Sequence, residues 1–204
     1  MHTRFTIRAG QPSDHRIVET LIRNAFWDVY KPGADEHLIA HRLRTHPDFI
    51  PELDLVALDG GEIVGSILFS RAAIVQPDGT RLPIALPGPL AVQPDRQRQG
   101  IGAALLRHSL EQAKLLGFAG TALTGSPDYY SRFGFRPCRD FDITDTEGNN
   151  PDYLMVMPLA TDTLPAGILT ESEVFHTITP ADVAAFDAAF PPREKHRLPG
   201  QIFQ

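Results

Sequence analysis

Two glycines separated by one residue stand at the start of a helix-forming stretch, in the segment Gln97-Arg98-Gln99-Gly100-Ile101-Gly102. A helix N-terminus leaves about four backbone N–H groups unpaired and carries roughly half a positive charge. Each glycine in a helix costs roughly 1 kcal/mol relative to alanine, so the pair indicates close approach by another group. Arg98 adds a full positive charge. The segment therefore predicts a cradle that binds a diphosphate.

Two other phosphate-binding patterns fail at this position. A P-loop requires G-x-x-x-x-G-K-[ST], and no Lys-Ser or Lys-Thr pair follows these glycines. A dinucleotide fingerprint requires glycine or alanine where Leu105 stands, and it follows a strand directly, whereas Pro94 intervenes here. The next predicted strand, Gly120 to Gly125, contains no carboxylate for a ribose. The remaining pattern is [Q/R]-x-x-G-x-[G/A], which the segment matches.

This pattern resembles the central motif of the GNAT superfamily of acyl-CoA-dependent N-acetyltransferases. Leu90 to Val92 precede it at the expected distance, and the later run from Tyr129 to Phe135, YYSRFGF, resembles the second signature of the family. Two signatures in this order make the match specific, and it is best between Phe5 and Leu159. The residues that the resemblance assigns to acetyl-CoA are Leu90, Ala91, Val92, Gln97, Arg98, Gln99, Gly100, Ile101, Gly102 and Ala103.

The strand before the cradle is interrupted by Pro87-Gly88-Pro89, and proline cannot donate a hydrogen bond to a sheet. One interpretation is a bulge or a strand end. The other is that the disturbed strand leaves the backbone of Leu90 to Val92 free to bond an extended ligand, as another strand would. In the family that ligand is the pantetheine arm of CoA. The adjacent cradle favours the second interpretation.

Tyr130 is the candidate general acid, because its position four residues before Gly134 matches the general-acid tyrosine of many GNAT enzymes. When an amine attacks the thioester, the tetrahedral intermediate expels CoA thiolate. A phenol can protonate that sulfur because it keeps its own proton at neutral pH. The alternative is an aromatic side chain that only packs against CoA. The oxyanion is expected near the backbone amide of Val92 or a neighbour.

The proton acceptor is harder to place. Many family members use a glutamate on the central strand, but Ile84 to Val92 contains no carboxylate, which weakens the case for direct base catalysis. Glu36 is the candidate base. Asp28 and His37 are alternatives from the same region of the chain, as are a water relay and an amine of low pKa.

His37 and His41 stand four residues apart on a helix predicted over 35–44, which raises the question of a metal. The zinc-protease spacing H-E-x-x-H is absent, and no third ligand is indicated. We therefore expect no structural metal. Both histidines are expected opposite Ile39 and Leu43, on a wet or cleft-facing surface.

Hydrophobic periodicity predicts the elements that position these groups. A first helix is capped by Ser13 and has the buried stripe Ile17, Val18, Leu21, Ile22 and Ala25. A hairpin turn is predicted at Asp59-Gly60-Gly61-Glu62, since glycine allows positive φ. The predicted strands cover residues 5–8, 53–58, 63–75, 82–92, 118–124, 153–159 and 168–178.

The helix that follows the cradle begins at about Gln99. Its predicted buried stripe is Gly102, Leu106, Leu110, Ala113 and Gly117, flanked by Leu105 and Leu116. The opposite face carries Arg107, Glu111 and Lys114. A short helix over 128–133 and a last one from Thr179 to Phe190 complete the set.

These elements predict an α/β fold with a mixed, largely antiparallel central sheet of about six to seven strands flanked by helices. The resemblance implies a parallel pair of strands that splay apart, which makes the cleft where acyl-CoA meets the amine. It also implies that the loop 27–34 lines the acceptor site. Residues 1–160 are expected to form the acetyltransferase domain. Residues 161–204 are expected to be a C-terminal extension with the last strand, a short helix and a tail, packed on the same domain.

Composition excludes several classes of protein. The 204 residues are 42% hydrophobic and 22% charged, as in ordinary globular domains. A net charge of -6 argues against a nucleic-acid partner and an anionic membrane surface. The start MHTRFTIRAG has no apolar signal core, so we expect a cytoplasmic protein. The single cysteine, Cys138, excludes an internal disulfide and lacks a paired base for a covalent acyl-enzyme.

The predicted function is transfer of an acetyl group from acetyl-CoA to a primary amine, by direct attack in a ternary complex. The alternative from another class is a non-catalytic acyl-CoA-binding regulatory or interaction protein. The sequence does not identify the acceptor, a small molecule or a peptide, because polyamines, aminoglycosides, amino acids, protein N-termini and lysines all present amines. Acyl-chain length is open. The tail covers the acceptor cleft, packs on a second subunit of a homodimer, or is frayed at its end.

Overall fold

The computed structural model describes residues 5–201. Its strands are β1 Thr6–Ala9, β2 Leu55–Asp59, β3 Glu62–Ile67, β4 Phe69–Val75, β5 Arg81–Pro87, β6 Ala91–Val92, β7 Gly120–Thr124, β8 Arg136–Pro137, β9 Ile143–Thr144, β10 Leu154–Pro158 and β11 Gly167–Thr170. Its helices are α1 His15–Phe26, α2 Glu36–Leu43, α3 Ile101–Leu115, α4 Pro127–Tyr130 and α5 Pro180–Asp187. The end of the predicted tail, residues 202–204, lies outside the described residues.

The chain forms two compact units. The first consists of the chain up to Leu68, Gly88–Leu106 and the chain from Glu173 onward. It contains a four-stranded sheet in the order β1-β2-β3-β6, with α1, α2 and α5. Its core includes Val18, Leu21, Ile22, Leu43, Val56 and Leu68.

The second unit consists of Phe69–Pro87 and Arg107–Ser172. It contains a seven-stranded mixed sheet in the order β8-β10-β7-β5-β4-β11-β9. Strands β5 and β7 run parallel and pair at Ala85 and Thr121, and most other pairs are antiparallel. The predicted fold class, a mixed and largely antiparallel sheet flanked by helices, is confirmed.

The hairpin prediction between β2 and β3 is also confirmed. Gly60 and Gly61 have φ of 62° and 92°, as a tight two-residue turn requires. The predicted long strand after it is wrong at one residue, because β3 ends at Ile67 and β4 begins at Phe69. Between them, the Leu68 carbonyl accepts a hydrogen bond from the Gly88 amide at 2.8 Å.

Helix α1 differs from its prediction at two positions. Ser13 lies inside a 3-10 helix, Pro12–Asp14, and the residue at the N-cap of α1 is Asp14. Arg8 donates to Asp14 at 2.6 Å, which holds this extra turn. Ile17 is 53% exposed, whereas its neighbour Val18 is buried. Successive helical residues point about 100° apart, so a helix that turns Val18 into the core can leave Ile17 at the edge of its buried face.

Helix α3 begins at Ile101, two residues later than predicted, and its exposed face carries Arg107, Glu111 and Lys114 as expected. The predicted stripe is wrong at its end, because Leu116 and Gly117 are exposed. Gly117 has φ of 86°, and its amide and that of Phe118 bond the carbonyls of Lys114 and Ala113. Gly117 is therefore the C-terminal cap of the helix.

The C-terminal elements follow the prediction in part. The predicted helix start is confirmed, because Thr179 accepts from the Asp182 amide and the Asp182 carboxylate accepts from the Thr179 amide. The predicted strand 168–178 is wrong beyond Thr170, where a 3-10 helix, Glu173–Phe175, follows. Across the described part of the chain, every helix is too short or too polar to span a bilayer.

Candidate active site

The cradle is a turn with two left-handed residues. A 3-10 helix, Pro94–Arg96, follows β6, and then Arg98 and Gly100 adopt φ of 60° and 86°. The first intrahelical hydrogen bond runs from the Ala104 amide to the Gly100 carbonyl at 3.0 Å. The amides of residues 101–103 precede that bond and have no acceptor inside the helix. Left- and right-handed residues in succession turn such N–H groups toward one concave side, which suits an anion.

Side chains fix this turn while its outer surface stays open. Gln97 Nε2 donates to the Val92 carbonyl and Gln99 Nε2 to the Asp95 carbonyl, each at 3.3 Å. Residues 98–100 are exposed. A Cβ added to Gly100 would meet no protein atom within 4 Å. Inside the first unit, glycine at position 100 is therefore required by backbone conformation and not by crowding.

Close packing on β3 sets the position of the helix start. A Cβ on Gly65 would lie 2.9 Å from Ile101 Cγ2 and 3.0 Å from Leu105 Cδ1. Only glycine at this position lets the first turn of α3 approach the strand so closely. Gly65 thus positions the cradle directly beside β6, with which β3 pairs.

Strand β6 is the last strand of its sheet and presents one open edge. The Gln93 amide donates to the Val64 carbonyl at 3.0 Å, so this opposed pair is hydrogen-bonded. Hydrogen-bonded and non-bonded pairs alternate along an antiparallel ladder. The N–H and C=O of Val92, which lies opposite Gly65, therefore point away from β3. They face the side on which an extended ligand could add to the strand.

A groove of about 410 Å³ lies next to the end of β6. Its walls are α1, through Arg16, Ile17, Thr20, Leu21 and Asn24, and the segment 93–95. The exposure of Ile17 is explained by this groove, since its side chain forms part of the wall.

Tyr130 ends the short helix α4 in the second unit. Its ring centroid lies 4.9 Å from that of Tyr129 and 5.7 Å from that of the buried Phe135, both in edge-on geometry. A Cβ on Gly125 would stand 2.7 Å from Tyr130 Cδ2 and still closer to Cε2. The ring is thus clamped between Gly125 and two aromatic side chains, so its direction is fixed by packing.

Glu36 occupies the first turn of α2 and is partly buried. Burial, together with the nearby Asp35 carboxylate, raises its pKa from 4.5 to about 7. The Asp35 amide donates to Glu36 Oε2 at 3.1 Å, and Lys31 pairs with Asp35. Tyr30 lies close enough for burial and Glu36 to raise the pKa of its phenol. A carboxyl group with a pKa near 7 is suited to accept and release protons at neutral pH.

The two alternative bases are engaged in structural contacts. Asp28 is 9% exposed, and although burial raises its pKa, hydrogen bonds from Gly33 and His196 outweigh that effect and lower it. His37 is fully buried, so its predicted place on a wet surface is wrong. Its Nε2 lies 3.0 Å from Asp187 Oδ1, and burial lowers its pKa despite that carboxylate.

His41, in contrast, is exposed, and its Nδ1 lies 2.8 Å from Glu19 Oε1. The two histidines therefore contact different carboxylates. Within residues 5–201, no group of three His, Cys, Asp or Glu side chains is assembled as a metal site would need. Cys138 is buried, and burial, with Glu171 nearby, raises the pKa of its thiol to about 12. It is a protonated, packed thiol at neutral pH.

The structure thus groups the predicted residues as follows. The strand Leu90 to Val92, the cradle and Glu36 belong to the first unit, and Tyr130 belongs to the second. Sequence reasoning treated Asp28 only as a possible base and missed its structural role. The missed signal in the sequence is Asp28 followed by Gly33, since Asp and Gly favour turns such as the one that their hydrogen bond closes.

Comparison with protein families finds a match over residues 53–137 to the model described as "Acetyltransferase (GNAT) domain". YhbS of Escherichia coli, an uncharacterized N-acetyltransferase, is 31% identical over 159 residues, which are 78% of this chain and 89% of YhbS. YjhQ, another uncharacterized N-acetyltransferase from E. coli K12, is 40% identical over 88 residues. That match covers 43% of this chain and 48% of YjhQ, about half its length.

Two solved structures share the fold over most of the chain. The crystal structure of E. coli YhbS in complex with CoA has a TM-score of 0.75 at 27% identity, and the match covers 88% of this chain and 98% of that one. A GNAT-family acetyltransferase from Brucella melitensis in complex with acetyl-CoA has a TM-score of 0.68 at 29% identity, covering 85% and 99%. The predicted resemblance is confirmed, and the chain belongs to the GNAT family of acyl-CoA-dependent N-acetyltransferases.

Proposed function

We propose that this protein transfers an acetyl group from acetyl-CoA to a primary amine by direct attack in a ternary complex. The observation that carries the proposal is the open turn 97–103, whose unpaired amides follow the outward-facing edge of β6. The YhbS and Brucella structures are complexes with CoA and acetyl-CoA, which supports the same donor for this chain.

The first step is binding of the donor. The amides of residues 101–103 receive the pyrophosphate, and Arg98 contributes a positive charge. The pantetheine arm lies along the open edge of β6 and donates to the Val92 carbonyl, which can accept a second hydrogen bond beside the one from Gln97 Nε2. The outward N–H of Val92, or that of a neighbour, stabilises the negative charge that develops on the thioester oxygen.

The second step is acetyl transfer. Glu36 takes a proton from the acceptor ammonium, and the neutral amine attacks the thioester carbon, forming the C–N bond. The tetrahedral intermediate collapses by breaking the C–S bond. The departing thiolate takes the phenol proton of Tyr130, and the proton that the nitrogen loses as the amide forms returns to the phenolate. The raised pKa of Glu36 and the fixed direction of the Tyr130 ring support these two roles.

The acceptor is a small-molecule or peptide amine that enters along the loop 27–34. Two side chains of this loop, Val29 and Tyr30, are exposed, and Glu36 follows in the next turn. A carboxylate beside an exposed aromatic ring favours a cationic group on the acceptor. We also propose that residues up to 160 form the acetyltransferase domain and that the C-terminal extension, residues 161–204, packs on it.

Replacing Gly100 by alanine tests the donor site. At about 100 times its dissociation constant, acetyl-CoA should stabilise the wild-type protein by roughly 2.7 kcal/mol. We expect Gly100→Ala to weaken acetyl-CoA binding by about tenfold or more, because a Cβ intrudes where the phosphate approaches the amides. A thermal-shift titration with acetyl-CoA, and with NAD as a nucleotide control, measures this.

Gly148→Ala is the matched control, because Gly148 has φ of 85° and no neighbour within 4 Å of an added Cβ, as at Gly100. Both substitutions should cost about 1 kcal/mol of unliganded stability through backbone strain. Only Gly100→Ala should lose the rise in melting temperature that acetyl-CoA causes. Equal shifts in the two variants would contradict the cradle assignment.

Release of CoA in the presence of an amine panel separates an enzyme from a binding protein. We expect CoA release that depends on an acceptor such as spermidine, an aminoglycoside, free lysine or a peptide with a free N-terminus. Binding of acetyl-CoA without acceptor-dependent release would instead favour a non-catalytic acyl-CoA-binding protein.

Gly125→Ala tests whether the position of the Tyr130 ring matters, because the new methyl group displaces that ring while the phenol remains. We expect kcat to fall by about tenfold or more with little change in acetyl-CoA affinity. The double variant Gly125→Ala/Tyr130→Phe should be no slower than Tyr130→Phe alone, since both changes act through one group. If the losses in kcat of the two single variants multiply in the double variant, Gly125 acts by a route that does not involve Tyr130.

A further inference from the structure

Asp28 closes the loop that connects α1 and α2. Its amide donates to the Gly33 carbonyl at 2.9 Å, and its Oδ1 accepts from the Gly33 amide at 2.7 Å. Asp28 itself adopts φ of 60°, which is uncommon for a residue other than glycine. These contacts hold residues 28–33 in a closed loop, and two residues separate this loop from the start of α2.

The same carboxylate holds the C-terminal segment. The His196 amide donates to Asp28 Oδ1 at 3.1 Å, and His196 Nδ1 lies 3.0 Å from Asp28 Oδ2. Gln201 Nε2 donates to the Asp28 carbonyl at 2.9 Å and to the His196 carbonyl at 3.1 Å. Every polar atom of Asp28 is therefore used, either to close the loop or to bind residues 196–201.

Further contacts of the C-terminal segment surround this point. Trp27 Nε1 donates to the Glu194 carbonyl at 2.9 Å. The Lys195 side chain covers Gly33 so closely that a Cβ there would lie 2.9 Å from its Cε. The loop is thus enclosed by residues 194–201 at both of its ends.

A partly buried ion pair anchors α5, which precedes this segment. Asp187, the last residue of α5, accepts from Arg23 Nε at 2.8 Å, and its Oδ1 lies 3.0 Å from His37 Nε2. The Arg23 guanidinium stacks 4.1 Å from the Trp27 ring centroid. Helices α1 and α2 are therefore joined through α5 on either side of the closed loop.

We propose that Asp28 is a positioning residue for the amine acceptor, because it clamps the C-terminal segment 194–201 onto the loop 28–33 and so fixes the first turn of α2, where Glu36 stands. This inference rests on the proposed role of that loop and of Glu36 in the acceptor site. The C-terminal segment then acts on the acceptor site through this loop, although it lies far from the cradle in the sequence.

Two substitutions test the clamp: Asp28→Ala and His196→Ala. Asp28→Asn is the conservative variant, because its amide oxygen still accepts from Gly33 and His196. Arg197→Ala is the control, since Arg197 lies in the same segment and is exposed. All should be assayed in the full chain with the amine from the panel that gives the fastest CoA release.

We expect Asp28→Ala and His196→Ala to raise the KM for the amine by about tenfold or more while leaving the acetyl-CoA thermal shift unchanged. Asp28→Asn should recover much of the loss, and Arg197→Ala should match the wild type. Amide hydrogen exchange in the peptide 28–35 should accelerate by about tenfold in the two alanine variants, because the Gly33 amide loses its acceptor or the segment that covers it.

Unchanged exchange in Asp28→Ala and His196→Ala would overturn the clamp whatever the acceptor is. Accelerated exchange with an unchanged KM for the amine would overturn the positioning role. Failure of the proposed function has a different signature, namely no amine-dependent CoA release by the wild-type protein, and the exchange measurement then still decides whether Asp28 holds the loop.

Discussion

Tyr130→Phe is expected to lower kcat by about 10²–10⁴-fold, while the dissociation constant of acetyl-CoA changes by no more than about twofold. The phenyl ring keeps its contacts with Gly125, Tyr129 and Phe135, so the packing of α4 is retained. Only the hydroxyl that protonates the departing sulfur is lost. Steady-state CoA release and a thermal-shift titration measure the two quantities separately.

Tyr129→Phe is the matched control, because Tyr129 is the preceding residue of the same helix and its ring packs against Phe133 and Arg132. Its kcat should stay within about threefold of wild type. Equal turnover of Tyr130→Phe and wild type would remove Tyr130 from the mechanism and would leave its ring as a packing group.

Glu36→Gln is expected to lower kcat/KM by about 10²-fold or more at pH 8, where the wild-type carboxylate is ionised. The pKa of Glu36 is raised to about 7, so the wild-type rate should increase with pH through that value as the base loses its proton. Glutamine cannot accept the proton, and the variant should not show this rise. A pH–rate profile of both proteins between about pH 5.5 and about pH 8.5 checks the prediction.

The same substitution should stabilise the protein at high pH. Because the pKa of Glu36 is higher in the folded chain than its usual 4.5, the folded state binds the proton more tightly than the unfolded state does. Its contribution is complete below pH 4.5 and is lost as the pH rises through about 7. At pH 8, Glu36→Gln should therefore unfold with a free energy higher by on the order of 1–3 kcal/mol.

Glu52→Gln is the control for this stability effect, because Glu52 is exposed. A substitution at such an exposed position should change the free energy of unfolding by no more than about 0.5 kcal/mol. If Glu36→Gln changes it as little, the Glu36 carboxylate is solvated at neutral pH and its case as a base loses its physical support. Chemical denaturation at about pH 5 and about pH 8 provides the comparison, because these values lie on either side of the raised pKa of Glu36.

The features that the sequence predicted well are those set by local chemistry. The hairpin at Gly60-Gly61 and the capping box at Thr179 depend on the backbone preferences of a few adjacent residues, so they can be read without tertiary information. The start of α3 close to Gly100 and Gly102 belongs to the same class, because it too depends on a few adjacent residues.

The features that it missed depend on distant parts of the chain. His37 was expected on a wet surface, yet Asp187 at the end of α5 and Phe190 just after it contact its ring. The sequence around position 37 does not indicate these distant partners. Ile17 was expected in the core because it is apolar, but it forms the wall of a groove. The structural role of Asp28 likewise requires His196 and Gln201, which approach only in the folded chain.

The burial of Cys138 has a practical consequence. The chain has one thiol, and in the folded protein it lies in the core of the second unit, protonated at neutral pH. A chromogenic reagent that counts the thiols of released CoA will therefore record product with no background from the folded enzyme. Any slow labelling of the protein itself measures how often the seven-stranded sheet opens, so a single reagent reports catalysis on one timescale and unfolding on another.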